Sequence, residues 1–277
     1  MSTTTTLAPA RVPQALTDTG HRVSFGRVFA SEWIKFRSLR STWYTLLAAV
    51  LAMVGIGGLI SWATNNRWDH APARELAGFE PIITSLRGVD LAQLAIGVLG
   101  VLLISGEYAT GMIRSTLTAV PRRLPVLWAK TLIFAVVTFV TMVLATLVAF
   151  LVGQHFLASH GTTLSAPGAV RAIVAIAGYL TLVGMLAIAL GFIIRSTAGG
   201  IATLVGLLLV APGLGQLLPS DWQPHILPYL PSNAGASMYQ VRADPSLLSP
   251  TGGLITLLVW VVVALLIGAV LLRRRDA

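Results

Sequence analysis

The sequence predicts an all-α membrane protein of six transmembrane helices, with both termini in the cytoplasm and an amphipathic interfacial helix before the first span. The composition is the first observation behind this prediction. Of the 277 residues, 55% are apolar and only 10% are charged, whereas soluble domains carry about 25% charged residues. A core of this size cannot hide so much apolar surface, so the surplus faces lipid. Soluble enzymes and nucleic-acid binders are excluded as descriptions of the whole chain.

Six long apolar runs are the second observation. A hydrocarbon layer of roughly 30 Å needs about 20 helical residues to cross it. Uninterrupted apolar runs must be helical there, because their backbone groups cannot reach water. None of these runs alternates apolar with polar residues, as a strand of a membrane barrel does. We expect the spans near residues 43–63, 89–105, 126–152, 171–194, 199–218 and 254–272.

The distribution of basic residues is the third observation. Fourteen of the 19 lysines and arginines fall on the side that holds the termini, and five fall on the other. Cytoplasmic loops carry such an excess, so we expect both termini inside the plasma membrane. The net charge of +9 then reflects topology and contact with the headgroups of membrane lipid, with no nucleic acid as partner.

The chain divides into three predicted regions. Residues 1–22 are expected to form a disordered cytoplasmic tail, residues 23–40 an amphipathic connecting helix, and residues 41–277 a six-helix transmembrane domain. The first 22 residues lack the apolar run and small-residue cleavage site of a removable signal peptide. The first span is therefore expected to act as an uncleaved anchor.

The spans lack the groups that drive chemistry or ion coupling. No Asp, Glu or His is expected near a midplane, and Asp90, Lys130 and Arg171 lie near span ends, where long side chains can snorkel to the headgroups. There is no cysteine, no phosphate-binding G-x-x-x-x-G-K-[ST] loop, no H-E-x-x-H and no G-x-S-x-G. We therefore predict no catalytic, cofactor or metal site in this chain, and an energy source outside it.

The segment Phe25–Leu39 is predicted to be a basic amphipathic helix. Such a helix lies flat in the headgroup layer; the alternative is that the segment simply begins the first span. Glu32 interrupts the apolar side, so we expect it to pair with Lys35, Arg37 or a partner protein. At 100° per residue, the apolar side chains that share an arc of about 140° are Phe25, Val28, Phe29, Trp33, Phe36 and Leu39.

A second structured segment, Gly106–Arg123, joins spans two and three. Tyr108, Met112 and Ile113 give it a small apolar surface at helical spacing, flanked by Glu107 and Arg114. A short helix of this kind suits docking into a groove on a soluble protein. The alternative is an ordinary loop at the headgroups.

Three motifs carry a resemblance to a known family. They are S-E-W-I-K-F-R-S-L-R-S-T-W-Y (Ser31–Tyr44), G-E-Y-A-T-G-M-I-R (Gly106–Arg114) and I-R-S-T-A-G-G (Ile194–Gly200). In this order the chain resembles, from about Val23 onward, the permease subunits of type-2 ABC transporters. These are bacterial six-span exporters similar in fold to the human ABCG half-transporters. The E-x-x-x-G-x-[IL]-R pattern at Glu107–Arg114 is the most specific of the three.

The resemblance implies a transmembrane subunit that works with a separate ATPase. Phe25–Leu39 would correspond to the interfacial connecting helix. Glu107–Arg114, which includes Gly111, would correspond to the coupling helix that rests on the nucleotide-binding subunit, and that partner would bind ATP and Mg. A second permease copy or a paralogue would complete the complex. The stretch Pro219–Pro250 holds six prolines, so the re-entrant helices expected there must be short.

We therefore expect the permease of an ATP-driven exporter, moving a hydrophobic or amphipathic substrate. Candidate pathway residues are Trp62, Gln93 and Tyr179, the polar or aromatic groups available within the spans. The alternative is a non-transporting sensor or accessory subunit of a membrane complex. An intramembrane enzyme and a channel are disfavoured, because neither catalytic groups nor a filter sequence are present.

Overall fold

A computed structural model describes residues 24–120 and 122–274, and it contains no strand within those ranges. The predicted tail at residues 1–22 lies outside the described residues. Six described helices are long and apolar enough to span a membrane, as predicted. The mean hydropathy of their most apolar stretches ranges from 1.8 to 3.0. They are α2 (Arg40–Asn66), α5 (Val89–Ala109), α7 (Leu124–Leu157), α8 (Ala169–Ile194), the α9–α10 span (Thr197–Gly215) and α13 (Pro250–Arg274).

Shorter helices occupy the two ends of the bundle. One end, here called the α1/α6 face, carries α1 (Phe25–Ser38) and α6 (Met112–Ala119). The opposite end, called the α4/α12 face, carries the remaining short helices. They are the 3₁₀ turns Trp68–His70, Ala158–His160 and Leu227–Tyr229 and the helices α3 (Ala73–Ala77), α4 (Pro81–Ser85), α11 (Gln223–Ile226) and α12 (Pro231–Tyr239).

The centre of the bundle is α8. In its most apolar stretch 72% of the residues are buried, against 22% for the α9–α10 span. Small side chains let neighbouring helices approach α8 closely, and Ala172, Ala177 and Ala187 are fully buried. The helices α5, α7 and α13 pack around it. The outer faces of the surrounding helices stay apolar and exposed, as helices in lipid require.

Helix α4 is wedged between α2 and α7. A methyl group added to Gly57 of α2 would lie 2.2 Å from the Ser85 carbonyl oxygen, and one added to Gly153 of α7 would lie 2.2 Å from the Ser85 Cβ. Gln154 then fixes the wedge, because its Nε2 donates to the Pro81 carbonyl at 2.9 Å and to Ser85 Oγ at 3.0 Å. Ser85 is fully buried as a result.

The fifth span is irregular at its middle. Helix α9 (Thr197–Val205) continues through a π-turn (Gly206–Val210) into α10 (Ala211–Gly215). Pro212 has no backbone N–H to donate to the preceding turn, and a π-turn is one way for a helix to absorb such a break. The sequence-based prediction of a plain helix at residues 199–218 did not contain this feature.

Arg171 lies at the start of α8, near the end of the span as predicted, and contacts the end of α12. Its Nη1 donates to the Met238 carbonyl at 3.1 Å and its Nη2 to the Gln240 carbonyl at 2.5 Å. A cation at the C-terminal end of a helix satisfies carbonyls that lack intrahelical partners. Arg171 therefore attaches α12 to α8. The helices between Pro219 and Pro250 are short, as the prolines predicted, and the longest has nine residues.

The wedge gives a matched test of packing within α2. Gly57→Ala should lower the stability by about 1–3 kcal/mol, because its Cβ has no space beside Ser85. Gly55→Ala is the control, since nothing lies within 4 Å of that position and alanine is the better helix former by about 1 kcal/mol. Thermal unfolding of the purified chain in detergent measures both. Equal changes in stability for the two variants would contradict the close packing of Gly57 against Ser85.

Candidate functional site

A cluster of four charged side chains lies at the α1/α6 face, between α1, α5 and α7. Lys130 Nζ is 2.5 Å from Glu32 Oε2 and 2.7 Å from Glu107 Oε1. Lys35 Nζ is 2.9 Å from Glu32 Oε1 and 3.5 Å from Glu107 Oε1. We call these four residues the charge cluster. Its two carboxylates and two ammonium groups balance, which is how proteins make buried charge tolerable.

The burial of the cluster differs from residue to residue. Glu32, Glu107 and Lys130 are 2%, 6% and 3% exposed, whereas the Lys35 side chain is 28% exposed. Lys130 was expected to snorkel to the headgroups, and this prediction was wrong. Its ammonium instead lies between two buried carboxylates, whose attraction outweighs access to water. Of the partners predicted for Glu32, Lys35 is the one that pairs with it.

Local helical geometry places Glu32 in the cluster. Val28, Glu32 and Phe36 recur at every fourth position and are the buried residues of α1, so all three point at α7. The apolar arc predicted for this helix is therefore divided. Val28 and Phe36 pack on the protein, Phe29 is partly buried, and Phe25 and Trp33 remain 48% and 39% exposed.

Thr116 connects the cluster to α6, because Lys35 Nζ donates to Thr116 Oγ1 at 2.9 Å. Four helices thus meet through one set of polar contacts. Neither the contact of Thr116 nor the joint role of Glu107 and Lys130 was predicted from the sequence. A lysine inside the apolar run of α7 was the available signal, since a charge at such a position is rarely left without a partner.

The surface of α6 is set by a sharp turn and by two buried anchors. Gly111 has a φ of +72°, which reverses the chain between α5 and α6. Ile113 and Leu117 then point inward, and Ile113 is only 2% exposed. Met112 at 41% and the exposed Arg114 point away from the protein. Of the predicted apolar docking residues, Met112 is thus the exposed one.

Tyr108 faces the turn between α8 and α9. The Arg195 guanidinium lies 5.1 Å from the centre of its ring, a cation–π contact. Close by, Thr197 Oγ1 donates to Ser105 Oγ at 2.8 Å. The end of α5 is therefore joined to the start of α9 on one side, and to the charge cluster through Glu107 on the other.

The candidate pathway residues divide into two groups. Gln93 and Tyr179 are 5% and 2% exposed, and the Tyr179 hydroxyl donates to Gln93 Oε1. Tyr239 of α12 lies beside them, with ring centres 6.0 Å apart from Tyr179. Burial, followed by the charge of Asp90, raises the pKa of Tyr239, so its phenol stays protonated. Trp62 is 49% exposed on α2 and does not join this group.

Among the residues that the structure describes, no three His, Asp or Glu side chains are grouped so that they could hold a metal ion. The charge cluster attaches α1, α5 and α7 to one another by ion pairs, and Lys35 attaches α6 through Thr116. Six helices long and apolar enough to span a membrane define a multi-pass membrane protein.

Comparison with known protein families identifies the kind of membrane protein. The sequence model of the ABC-2 family transporter proteins matches residues 28–211. The chain belongs to that family and is an ABC transporter permease. No curated protein has a sequence that matches this chain significantly. The matched region includes most of α1, all of α6 and all four residues of the charge cluster.

The charge cluster predicts unequal effects of two identical substitutions. Lys130→Met should destabilise the protein by about 3–5 kcal/mol, because two buried carboxylates lose their main partner. Lys35→Met should cost about 1 kcal/mol or less, because that side chain is partly solvated. Thermal unfolding of both purified variants measures the difference. Similar losses of stability in the two variants would show that burial does not determine how much each lysine contributes to the charge cluster.

Proposed function

We propose that this chain is the permease subunit of an ATP-driven exporter in the plasma membrane. The observation that carries the proposal is the exposed outer surface of α6, attached through Thr116 and Lys35 to the buried charge cluster. Membership of the ABC-2 family supports it, since such permeases normally work with an ATP-binding subunit. ATP and Mg would be bound by that subunit.

Coupling would proceed through rigid contacts. The ATPase would press on Met112 and Arg114, the exposed side chains of α6. Because Lys35 connects α6 to α1, and Lys130 connects α1 to α5 and α7, a displacement at α6 would reach three further helices together. Rigid-body switching between two packed arrangements needs no chemistry in the permease.

The proposed topology puts the α1/α6 face in the cytoplasm. Phe25 and Trp33 on the exposed side of α1 would then lie among the lipid headgroups, where amphipathic aromatic residues are stabilised. The fourteen basic residues on this side support the same orientation. The α4/α12 face would lie outside the cell.

The substrate path is proposed to run beside the Gln93–Tyr179 pair, at the boundary with a second permease copy or paralogue. The sparsely buried α9–α10 span would contribute to that boundary. Apolar walls with one polar pair suit a hydrophobic or amphipathic substrate. The alternative function is a sensor or accessory subunit, which would bind the same ATPase without transport.

Docking is tested by changing the exposed face of α6. Met112→Asp should reduce the amount of ATPase that copurifies with the tagged chain by about tenfold or more, because a carboxylate would enter an apolar contact. Leu217→Asp is the control, since Leu217 is 82% exposed and lies on the opposite face. Ile113→Asp is less informative, because its buried side chain would disturb folding.

Equal retention of the ATPase by both variants would refute docking at α6. The accessory-subunit alternative would be favoured by two results together. Met112→Asp would no longer retain the ATPase, and the wild-type complex would move no substrate in vesicles. ATP hydrolysis stimulated by candidate substrates in the wild-type complex would favour the exporter.

Orientation can be measured directly because the chain has no cysteine. In intact cells, a membrane-impermeant maleimide should label Ser220→Cys and should leave Ser115→Cys unlabelled until the cells are opened. Both serines are exposed, one on each face. The reverse pattern would place both termini outside and would contradict the proposed topology.

A further inference from the structure

A cavity of about 570 Å³ opens on the α4/α12 face, apart from the charge cluster and α6. The end of α2, the Trp68 turn, α3, α4 and the start of α5 enclose it. Small-molecule sites in proteins occupy about 300–1,000 Å³ and combine apolar walls with a few polar groups. The cavity therefore has the size of a site for one small organic molecule.

One wall of the cavity is an aromatic group held in a fixed position. Trp68 stacks on His160, with ring centres 3.7 Å apart, and the Phe79 ring lies nearly perpendicular to that of Trp68, with ring centres 4.9 Å apart. Asn65 Oδ1 in turn holds His160 Nδ1 at 3.2 Å. Trp68 and Phe79 both line the cavity. Fixed indole rings of this kind attract cations through their electron-rich faces.

The charged residues in the wall have an acidic excess. Glu75, Glu80 and Asp90 line the cavity together with a single base, Arg87. Arg242 neutralises Glu80 at 3.2 Å. Glu75 has no ion pair with any residue that the structure describes. Arg87 lies close enough to Asp90 for their charges to interact. One negative charge is therefore left over after Arg87 and Arg242 are counted, and we assign it to Glu75.

The cavity continues toward the interior of the bundle. A smaller space of about 40 Å³ shares Ile83, Arg87 and Asp90 with the large cavity and ends at Tyr239. Tyr239 is the aromatic neighbour of Tyr179. A third aromatic ring thus lies at the inner end, and the Gln93–Tyr179 pair lies behind it.

We propose that this cavity binds an organic cation that carries an aromatic ring, with the charged group between Glu75 and Trp68. The aromatic walls select for flat apolar groups, and the unpaired carboxylate selects for positive charge. This inference goes beyond the proposed export function. Binding at the cavity requires neither an ATPase nor transport, so it stands or falls separately.

The binding is tested with benzyltrimethylammonium as the probe and phenylacetate as its counterpart of opposite charge. Equilibrium dialysis of each probe against the full chain in nanodiscs of zwitterionic lipid, with empty nanodiscs as the blank, measures specific binding. We expect saturable binding of the cation and an affinity for phenylacetate at least tenfold lower, about 1.4 kcal/mol.

Three variants locate the site. Glu75→Gln and Trp68→Leu should each weaken binding of the cation by about fivefold or more, the range expected for a partly desolvated cation contact. Asp221→Asn is the control, because it removes the same charge from an exposed residue that does not line the cavity. Its affinity should change less than twofold. Circular dichroism and gel filtration establish that each variant is folded.

Three results would overturn the proposal. They are the absence of saturable cation binding above the blank, equal binding of the two probes, and an equal loss of affinity in Asp221→Asn. Loss of ATPase docking in the α6 variant would leave all of these measurements unchanged, so failure of the export function would be recognised separately.

Discussion

The balance of buried charge at the α1/α6 face is the constraint on which the arrangement of this end of the molecule depends. Glu32, Glu107 and Lys130 are nearly inaccessible to water, and an uncompensated charge at such a position costs several kcal/mol. None of the three can move far without its partners. Helices α1, α5 and α7 therefore keep a fixed relation, and Lys35 extends this relation to α6 through Thr116.

A different interaction holds the opposite end. Between helices in lipid no hydrophobic force operates, so close packing and hydrogen bonds must supply the attraction. Gly57 and Gly153 admit the backbone of α4 between α2 and α7, and Gln154 closes the contact with hydrogen bonds. Arg171 attaches α12 in the same manner, through backbone carbonyls. One face of the bundle is thus organised by ion pairs and the other by close backbone approach.

The fifth span is the least constrained part of the bundle. Only 22% of its apolar stretch is buried, and a π-turn interrupts it near Pro212. π-turns concentrate at functional sites, where a helix must deviate from regular geometry. In the proposed export cycle, a unit made of α1, α5, α6 and α7 would move against this irregular span. The ion pairs at one end would carry the displacement, and the span would absorb it.

The sequence by itself determined the six spans and the short helices between Pro219 and Pro250, and it limited the partners of Glu32 within the chain to Lys35 and Arg37, because hydropathy, proline and helical spacing act over a few neighbouring residues. Tertiary structure decided the rest. Lys130 meets Glu107 and Tyr179 meets Gln93 only because separate helices turn particular sides toward each other. When a span is apolar all round, its hydropathy does not show which side of the helix faces a neighbouring helix. For the same reason, the burial of Ile113 could not be predicted from the sequence.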